Sequence, residues 1–222
     1  MKISVITISY NSSATIKQTL KSVQKQTYNN IEHIIVDGKS IDNTLQICNN
    51  FNHISKIISE SDMGVYDAFN KGLKLASGEI IGFLNSDDVF YDKHSLKKIS
   101  EKFDDQTDCV FANLDYVNKK GKVVRKWRSK PYQRNAFSKG WMPAHPTFYC
   151  RKSIYDELGG YDDSFEIAGD FELMLRFLEK NNIRSKFIDL TLVKMMAGGI
   201  SNNGIASKAK IIKEEKRAFK QN

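Results

Sequence analysis

The chain has 222 residues, of which 41% are hydrophobic and 27% charged, enough to bury a substantial core in one compact domain and unlike a disordered or fibrous protein. No apolar run approaches the roughly 18–20 residues that span a bilayer, and Lys2 leads straight into strand-like sequence; we expect neither an integral membrane protein nor a secretory leader, and place the chain in the cytoplasm. Thirty-four basic against 26 acidic side chains leave a formal charge of +8, which favours anionic partners such as phosphorylated small molecules, acidic lipid surfaces or nucleic acids.

Residues 3–8, Ile-Ser-Val-Ile-Thr-Ile, predict a strand, and Ser12 or Ser13 is placed to cap a helix with Ile16, Leu20 and Val23 on one face. The cycle repeats with a strand over 33–36, a loop Asp37-Gly38-Lys39-Ser40, and a helix carrying Ile41, Leu45 and Cys48 on one stripe. A third round joins a strand over 56–59, a polar loop over 60–64, and a helix with Phe69, Leu73 and Ala76 buried before Gly78. Residues 79–84 supply a strand buried on both faces. Such alternation calls for a mostly parallel sheet with right-handed crossovers.

After Asp88 the pattern loosens into a mixed half. A helix buries Leu96, Ile99 and Phe103, a strand covers 109–112, and a hairpin turns at Asn118 to Gly121. Residues 129–146 hold all three prolines and read as a long loop able to cover a site. Gly169-Asp170 then opens a helix whose core stripe is Phe171, Met174, Leu175 and Leu178. The tail from Ile205 to Lys220 puts Ile205, Ala209, Ile212 and Phe219 on one helical face, ringed by Lys and Arg; it either lies on an anionic membrane or packs on the domain. Cys48, Cys109 and Cys150 lack Cys-x-x-Cys spacing and read as reduced core residues, and the four histidines are too scattered for a zinc motif.

In an open parallel sheet, ligands bind beyond the carboxyl ends of the strands, where loops and helix N-termini converge. The unusual polar residues fall there: Thr7, Ser9, Tyr10 and Asn11; Asp37, Gly38, Ser40 and Asp42; Glu60, Asp62 and Gly64; Asn85, Ser86, Asp87 and Asp88. Adjacent carboxylates at the end of an apolar strand repel each other unless a cation or basic group sits by them. A divalent metal carrying a diphosphate fits Asp87 and Asp88, although the pair also suits a turn that caps the next helix.

Taken in order, Ile3 to Asn11, then Asp37-Gly38-x-Ser40-x-Asp42-x-Thr44, then Asp62-x-Gly64-x-Tyr66-Asp67-Ala68-x-Asn70-Lys71-Gly72, then Asn85-Ser86-Asp87-Asp88 resemble the family 2 glycosyltransferases of the GT-A fold. The resemblance implies an α/β enzyme with one catalytic domain over 1–204, its 1–90 half binding a nucleotide sugar and its 91–204 half an acceptor, followed by a basic helix over 205–222. It places Thr7, Ser9 and Tyr10 at the nucleoside, Asp37 at the base, and Asp62 and Lys71 near base and ribose. Asn85 and Asp87 fall on the family's Asp-x-Asp metal motif, which implies Mn²⁺ or Mg²⁺ on Asp87, with Ser86 in the donor site and Asp88 beside it. Asp170 falls on the catalytic Glu-Asp motif as general base, with Gly169 where the Glu is usual; by its position alone it is equally an N-cap.

His145 and Ser201 are further candidates for substrate contact, the histidine having a structural alternative, and Arg176 is open between surface and site. The resemblance implies an inverting, non-processive transferase with a nucleotide diphosphate donor, most often uridine, and a sugar or lipid-linked sugar acceptor in surface polysaccharide or glycolipid assembly, with peripheral contact on the inner face of the membrane left open. A sugar nucleotidyltransferase would favour a glycine-rich phosphate loop after the first strand, where Asn11-Ser12-Ser13 stands instead. A nucleic-acid-binding module is disfavoured because the basic residues read as dispersed and no such motif occurs.

Overall fold

The computed structural model describes residues 1–198 and 205–222. The first half winds as the alternation predicts. Strands β1 (Ile3–Ser9), β2 (Ile31–Asp37), β3 (Ile54–Ser59) and β4 (Ile80–Phe83) run parallel in the order β3-β2-β1-β4. They are connected by α1 (Ile16–Gln24), α2 (Thr44–Cys48) and α3 (Val65–Leu75). Both faces of the central strands are covered, which is why they read as continuous apolar runs. Ile6, Ile34 and Phe83 pack with Tyr66, Phe69 and Leu73 on one face, and Ile3, Val5 and Ile80 pack with Leu96 and Ile99 on the other.

The second half extends the same sheet with β5 (Val89–Phe90), β6 (Cys109–Val117), β7 (Val123–Trp127), β8 (Tyr149–Arg151) and β9 (Ser185–Met196), interleaved with α4 (Ser95–Ser100), α5 (Lys152–Leu158) and α6 (Gly169–Met174). Past β4 the order is β8-β6-β9-β5, and β7 pairs with β6. β8 is antiparallel to both β4 and β6, whereas β6 and β9 are parallel, so among the described residues six of nine strands share one direction. The β6–β7 hairpin turns as expected, Asn118 N donating to Lys122 O and Gly121 N to Asn118 O. All three cysteines are buried and free.

Three expectations are corrected. The α1 cap position is Thr15, not Ser12 or Ser13, because the Ser12 hydroxyl is turned to Tyr10 O and Ser86 Oγ. Ile41 does not share a stripe with Cys48: it is 91% exposed, since the chain stays in a loop until Asp42 accepts hydrogen bonds from Thr44 N and Oγ1. The tail helix α7 (Ile205–Gln221) packs through Glu214 and Ala218, with the half-exposed Phe219 ring edge-on against Phe171 at 5.6 Å, leaving Ala209 and Ile212 of the expected stripe outside. That rotation comes from hydrogen bonding, as Glu214 is drawn inward to backbone N–H groups. Among the described residues no helix is long and apolar enough to cross a membrane.

Candidate functional site

At the carboxyl ends of β1, β2 and β3 the loops are bound into one surface by short polar side chains. Asp37 is fully buried and accepts four hydrogen bonds, from Ser9 Oγ (3.0 Å), Ser40 N (2.8 Å), Ser40 Oγ (2.5 Å) and Ser59 Oγ (2.7 Å). Both carboxylate oxygens are thereby engaged, so a base N–H reaching Asp37 has to displace one of these donors. Asn11 N donates to Ser40 Oγ and Asn11 Oδ1 accepts Ile41 N, while Ser12 N donates to Thr44 Oγ1. Ser12 and Ser86 hydroxyls meet at 2.8 Å and join this surface to the turn after β4.

Tyr10 and Asp62 close on Gly38 from two sides. A Cβ at position 38 would lie 2.5 Å from Asp62 Oδ2 and 3.4 Å from the Tyr10 ring, so a larger residue would require the Asp62 carboxylate to shift. Tyr10 and Asp62 are exposed, as are Ile41 and Met63, and together they present an open face of polar and apolar groups. Lys71 is saturated by Ser61 O (2.7 Å), Glu60 (3.1 Å) and Asp67 (3.2 Å); it anchors the loop that carries Asp62. Thr7 does not reach this face, being fully buried with its hydroxyl 3.0 Å from His33 Nε2.

The turn after β4 behaves in the opposite way. Asn85 Oδ1 and Asp88 Oδ2 are buried with no hydrogen-bond partner among the described residues, and Asp88 Oδ1 accepts only Met196 N (3.1 Å). Burial raises the pKa of Asp87, and burial together with the charge of Asp87 raises that of Asp88 well above the carboxylate range. Unpartnered oxygens from an amide and a carboxylate, with the Asp87 carboxylate between them in the chain, suit a hard divalent cation such as Mg²⁺ or Mn²⁺. Among the described residues no three His, Cys, Asp or Glu side chains form a cage for a metal. The oxygens present fit a cation that shares its coordination with a diphosphate, as Mg²⁺ ordinarily does in phosphate sites.

Asp170 completes the site from the other half. Burial lifts its pKa to about 6, against the lowering effect of the Phe171 N–H at 2.9 Å from Oδ1. It is not the N-cap of α6, because that position is Ala168. The free N–H groups there are taken by Glu214 of α7, whose carboxylate accepts Glu166 N (3.1 Å), Ile167 N (3.0 Å) and Ala168 N (2.8 Å). Against the upward push of burial, these donors hold Glu214 below its ordinary range. Gly169 stands where the Tyr66 ring packs: a Cβ there would lie 2.8 Å from the ring. The Tyr66 hydroxyl donates to Ile167 O (2.6 Å), and its proximity to Asp170 moderates the rise in that acid's pKa.

Tyr116, near the end of β6, adjoins the metal-motif turn: its neighbour Val117 pairs with Met196, whose N–H donates to Asp88. Burial raises the Tyr116 pKa, the Arg125 guanidinium opposes the rise, and the charges of Asp88 and Asp170 add to it. His145 lies elsewhere. It is packed among Phe69, Phe83 and Tyr161 with Nε2 2.7 Å from the Tyr161 hydroxyl, and burial lowers its pKa to about 4, which leaves it neutral and structural. Arg176 is also structural, pairing with Glu172 and donating to the carbonyls of Leu158, Gly159 and Gly160. Ser201 lies outside the described residues. Glu214, Tyr66 and Tyr116 are not among the site residues expected from sequence, because no local pattern connects Glu214 to residue 168.

The profile of the Glycosyl transferase family 2 matches residues 4–167, about three-quarters of the chain and all of the N-terminal loops described above. The chain belongs to glycosyltransferase family 2. It is 26% identical over 206 residues to a Mycobacterium bovis PGL/p-HBAD biosynthesis glycosyltransferase, covering 90% of this chain and 78% of that one. It is 32% identical over 191 residues to an uncharacterised glycosyltransferase of Mycobacterium tuberculosis, covering 78% and 68%. Among solved structures, S. aureus TarS in complex with UDP-GlcNAc superposes with a TM-score of 0.75 at 24% identity, over 94% of this chain and 61% of that one. Pyrobaculum calidifontis mannosyltransferase PcManGT in complex with GDP-Man and Mn²⁺ superposes with a TM-score of 0.74 at 17% identity, over 100% and 64%. The GT-A fold expected from the motifs is the fold observed, and the chain spans somewhat under two-thirds of the length of these two structures.

Proposed function

We propose that this family 2 glycosyltransferase moves one sugar from a nucleoside diphosphate donor, a uridine one, onto an acceptor hydroxyl by a single displacement that inverts the anomeric carbon. The observation that carries the reading is the turn after β4, where Asn85 Oδ1 and Asp88 Oδ2 are buried without a partner among the described residues, together with Asp87, Asp88 and Asp170 raised in pKa by burial. Mg²⁺ or Mn²⁺ bound by Asp87, with Asn85 and Asp88 beside it, would supply positive charge for the departing diphosphate. The open face at Tyr10, Gly38 and Asp62 receives the nucleoside, which must approach a backbone cleared of side chain at Gly38. Asp170 takes the proton of the attacking hydroxyl; a pKa of about 6 leaves it ionised at neutral pH yet basic enough to accept that proton. The complexes of TarS with UDP-GlcNAc and of PcManGT with GDP-Man and Mn²⁺ support the donor class and the cation.

The acceptor-side half is assigned to 91–204, with α7 as an appendage docked through Glu214. Outside that contact α7 exposes Ile212 together with Lys208, Lys213, Lys216 and Lys220, a face suited to peripheral contact with an anionic membrane. The reading is tested by the stabilisation of the protein by UDP. Mn²⁺ is expected to enlarge the rise in melting temperature, and Asp87→Ala to abolish the metal-dependent part alone. Equal stabilisation in metal and in chelator would remove the cation from the scheme.

A further inference from the structure

We propose that the acceptor is a phosphate-bearing molecule, and that its phosphate is taken by the β6–β7 hairpin with Arg125 as the principal contact. This names the acceptor class of the site just described and rests on the transferase reading.

The positive charge of this protein is not dispersed after all. From Tyr116 to Tyr155 the chain has eleven Lys and Arg and no Asp or Glu, so this stretch carries more positive charge than the whole protein and the remainder is net acidic. At its leading edge Lys119, Lys120, Lys122, Arg125 and Lys126 are all exposed, and none forms an ion pair among the described residues. The hairpin's one ion pair among them, Arg128 with Asp115 at 2.8 Å, lies at its base. Surfaces ordinarily intersperse the two signs; a run of like charge raises the local potential at a cost in repulsion that an anionic ligand relieves.

Arg125 is the member of this group held in place by its neighbours. It is opposite Tyr116 in the antiparallel register and therefore on the same face of the hairpin. Its guanidinium lies 5.0 Å from the Tyr116 ring and 5.5 Å from the Trp127 ring, and the two rings stack on each other at 6.3 Å. Stacking holds a guanidinium by its flat faces and leaves the N–H edge available for two parallel bonds to a phosphate. Val117, next to Tyr116, pairs with Met196, whose N–H donates to Asp88, so the strand end that carries Arg125 opposite Tyr116 adjoins the metal-motif turn. The carboxyl groups of that turn would repel an anionic acceptor, and the hairpin supplies the opposite charge beside it.

The phosphate can belong to a free glycosyl phosphate or to a lipid diphosphate-linked sugar, and two kinds of measurement test the proposal. The first uses inorganic pyrophosphate in excess chelator, which silences any cation-dependent diphosphate binding at Asp87. Wild type is expected to be stabilised thermally, less so as salt rises, and the shift is expected to vanish in Arg125→Gln and to shrink when Lys119, Lys120 and Lys122 are changed to Ser. All variants keep the UDP and Mn²⁺ response. Loss of that response in wild type would sink the transferase reading, whereas no pyrophosphate response with the UDP response intact sinks this proposal alone.

The second measurement compares matched acceptors, each sugar as methyl glycoside, as glycosyl phosphate and as lipid-linked diphosphate. Phosphorylated members are expected to be used in preference, the better of the two identifying the source, and Arg125→Gln to raise their KM on the order of tenfold with little change in kcat. Equal use of methyl glycosides overturns the assignment. So does an Arg125→Gln variant that loses binding to phosphatidylglycerol vesicles while its pyrophosphate shift and acceptor KM stay at wild-type values, since the hairpin is then a membrane contact.

Discussion

Two groups of acidic residues in this fold differ in whether their oxygens are satisfied. In the loops after β1 and β2, Asp37 accepts four hydrogen bonds and Asp42 accepts three, from Ser13 N, Thr44 N and Thr44 Oγ1. Thr44 and Ser13 hold Asp42 below the usual carboxylate range. Asp87, Asp88 and Asp170 have few donors, and burial pushes all three upward. The same side chain thus serves to fix loops where it is saturated and to meet a ligand or a proton where it is not. Glu214 belongs by its bonding to the first kind although it lies beside the second, for it fastens the backbone on which Asp170 is mounted.

The largest effect that would sharpen this contrast is expected at Asp170. Asp170→Asn keeps the shape and the Phe171 N–H contact but loses the proton acceptor, and turnover should fall by about 10²–10⁴ with UDP binding unchanged. In wild type kcat should rise with pH through about 6 and then level, as the ionised form is the active one. An Asp170→Asn enzyme with near wild-type turnover would move Asp170 into the structural class.

Glu214→Ala is expected to act on stability first. Three charge-assisted bonds to backbone N–H groups are lost, at about 3 kcal/mol in all, which for a chain of this size lowers the melting temperature by roughly 10 °C. Turnover should fall with it, because the segment leading to Asp170 loses its anchor, and Glu214→Gln should recover part of both. Thermal melts and acceptor kinetics on the two variants decide this; unchanged stability in Glu214→Ala would mean that α7 does not hold the segment.

The smallest effect is expected at Asp88 and has the opposite sign. A carboxyl group whose folded pKa is raised binds its proton more tightly when folded, so stability declines as pH climbs from the unfolded value near about 3.9 toward the folded one. Asp88→Asn removes that burden. Without divalent metal it should melt a few degrees higher than wild type at neutral pH, the gap closing as pH falls toward the unfolded value, while the Mn²⁺ response to UDP weakens. A variant less stable than wild type at neutral pH would show that Asp88 is satisfied in solution, like Asp37.

What the sequence determined by itself is the frame of the N-terminal half and its fold family. Residues 3–8, 33–36, 56–59 and 79–84 are strands because their apolar runs must be buried on both faces, and the polar residues after them fall at the strand ends by the geometry of parallel crossovers. The Asn85-Ser86-Asp87-Asp88 turn was legible for the same reason, since adjacent acids at the end of a buried strand are costly without a ligand. Only the tertiary structure decided which of those polar residues are free. Thr7 and His145 turned inward because His33 and Tyr161 stand within hydrogen-bond reach, and Ile41 turned outward because Asp42 delays the helix. The register of α7 was likewise set from afar: its apolar periodicity pointed to Ile212 and Phe219, but three backbone N–H groups near residue 168 draw Glu214 into the packed face. Periodicity reports where apolar area can be buried within one element, and carries no information about an unpaired donor some 46 residues away.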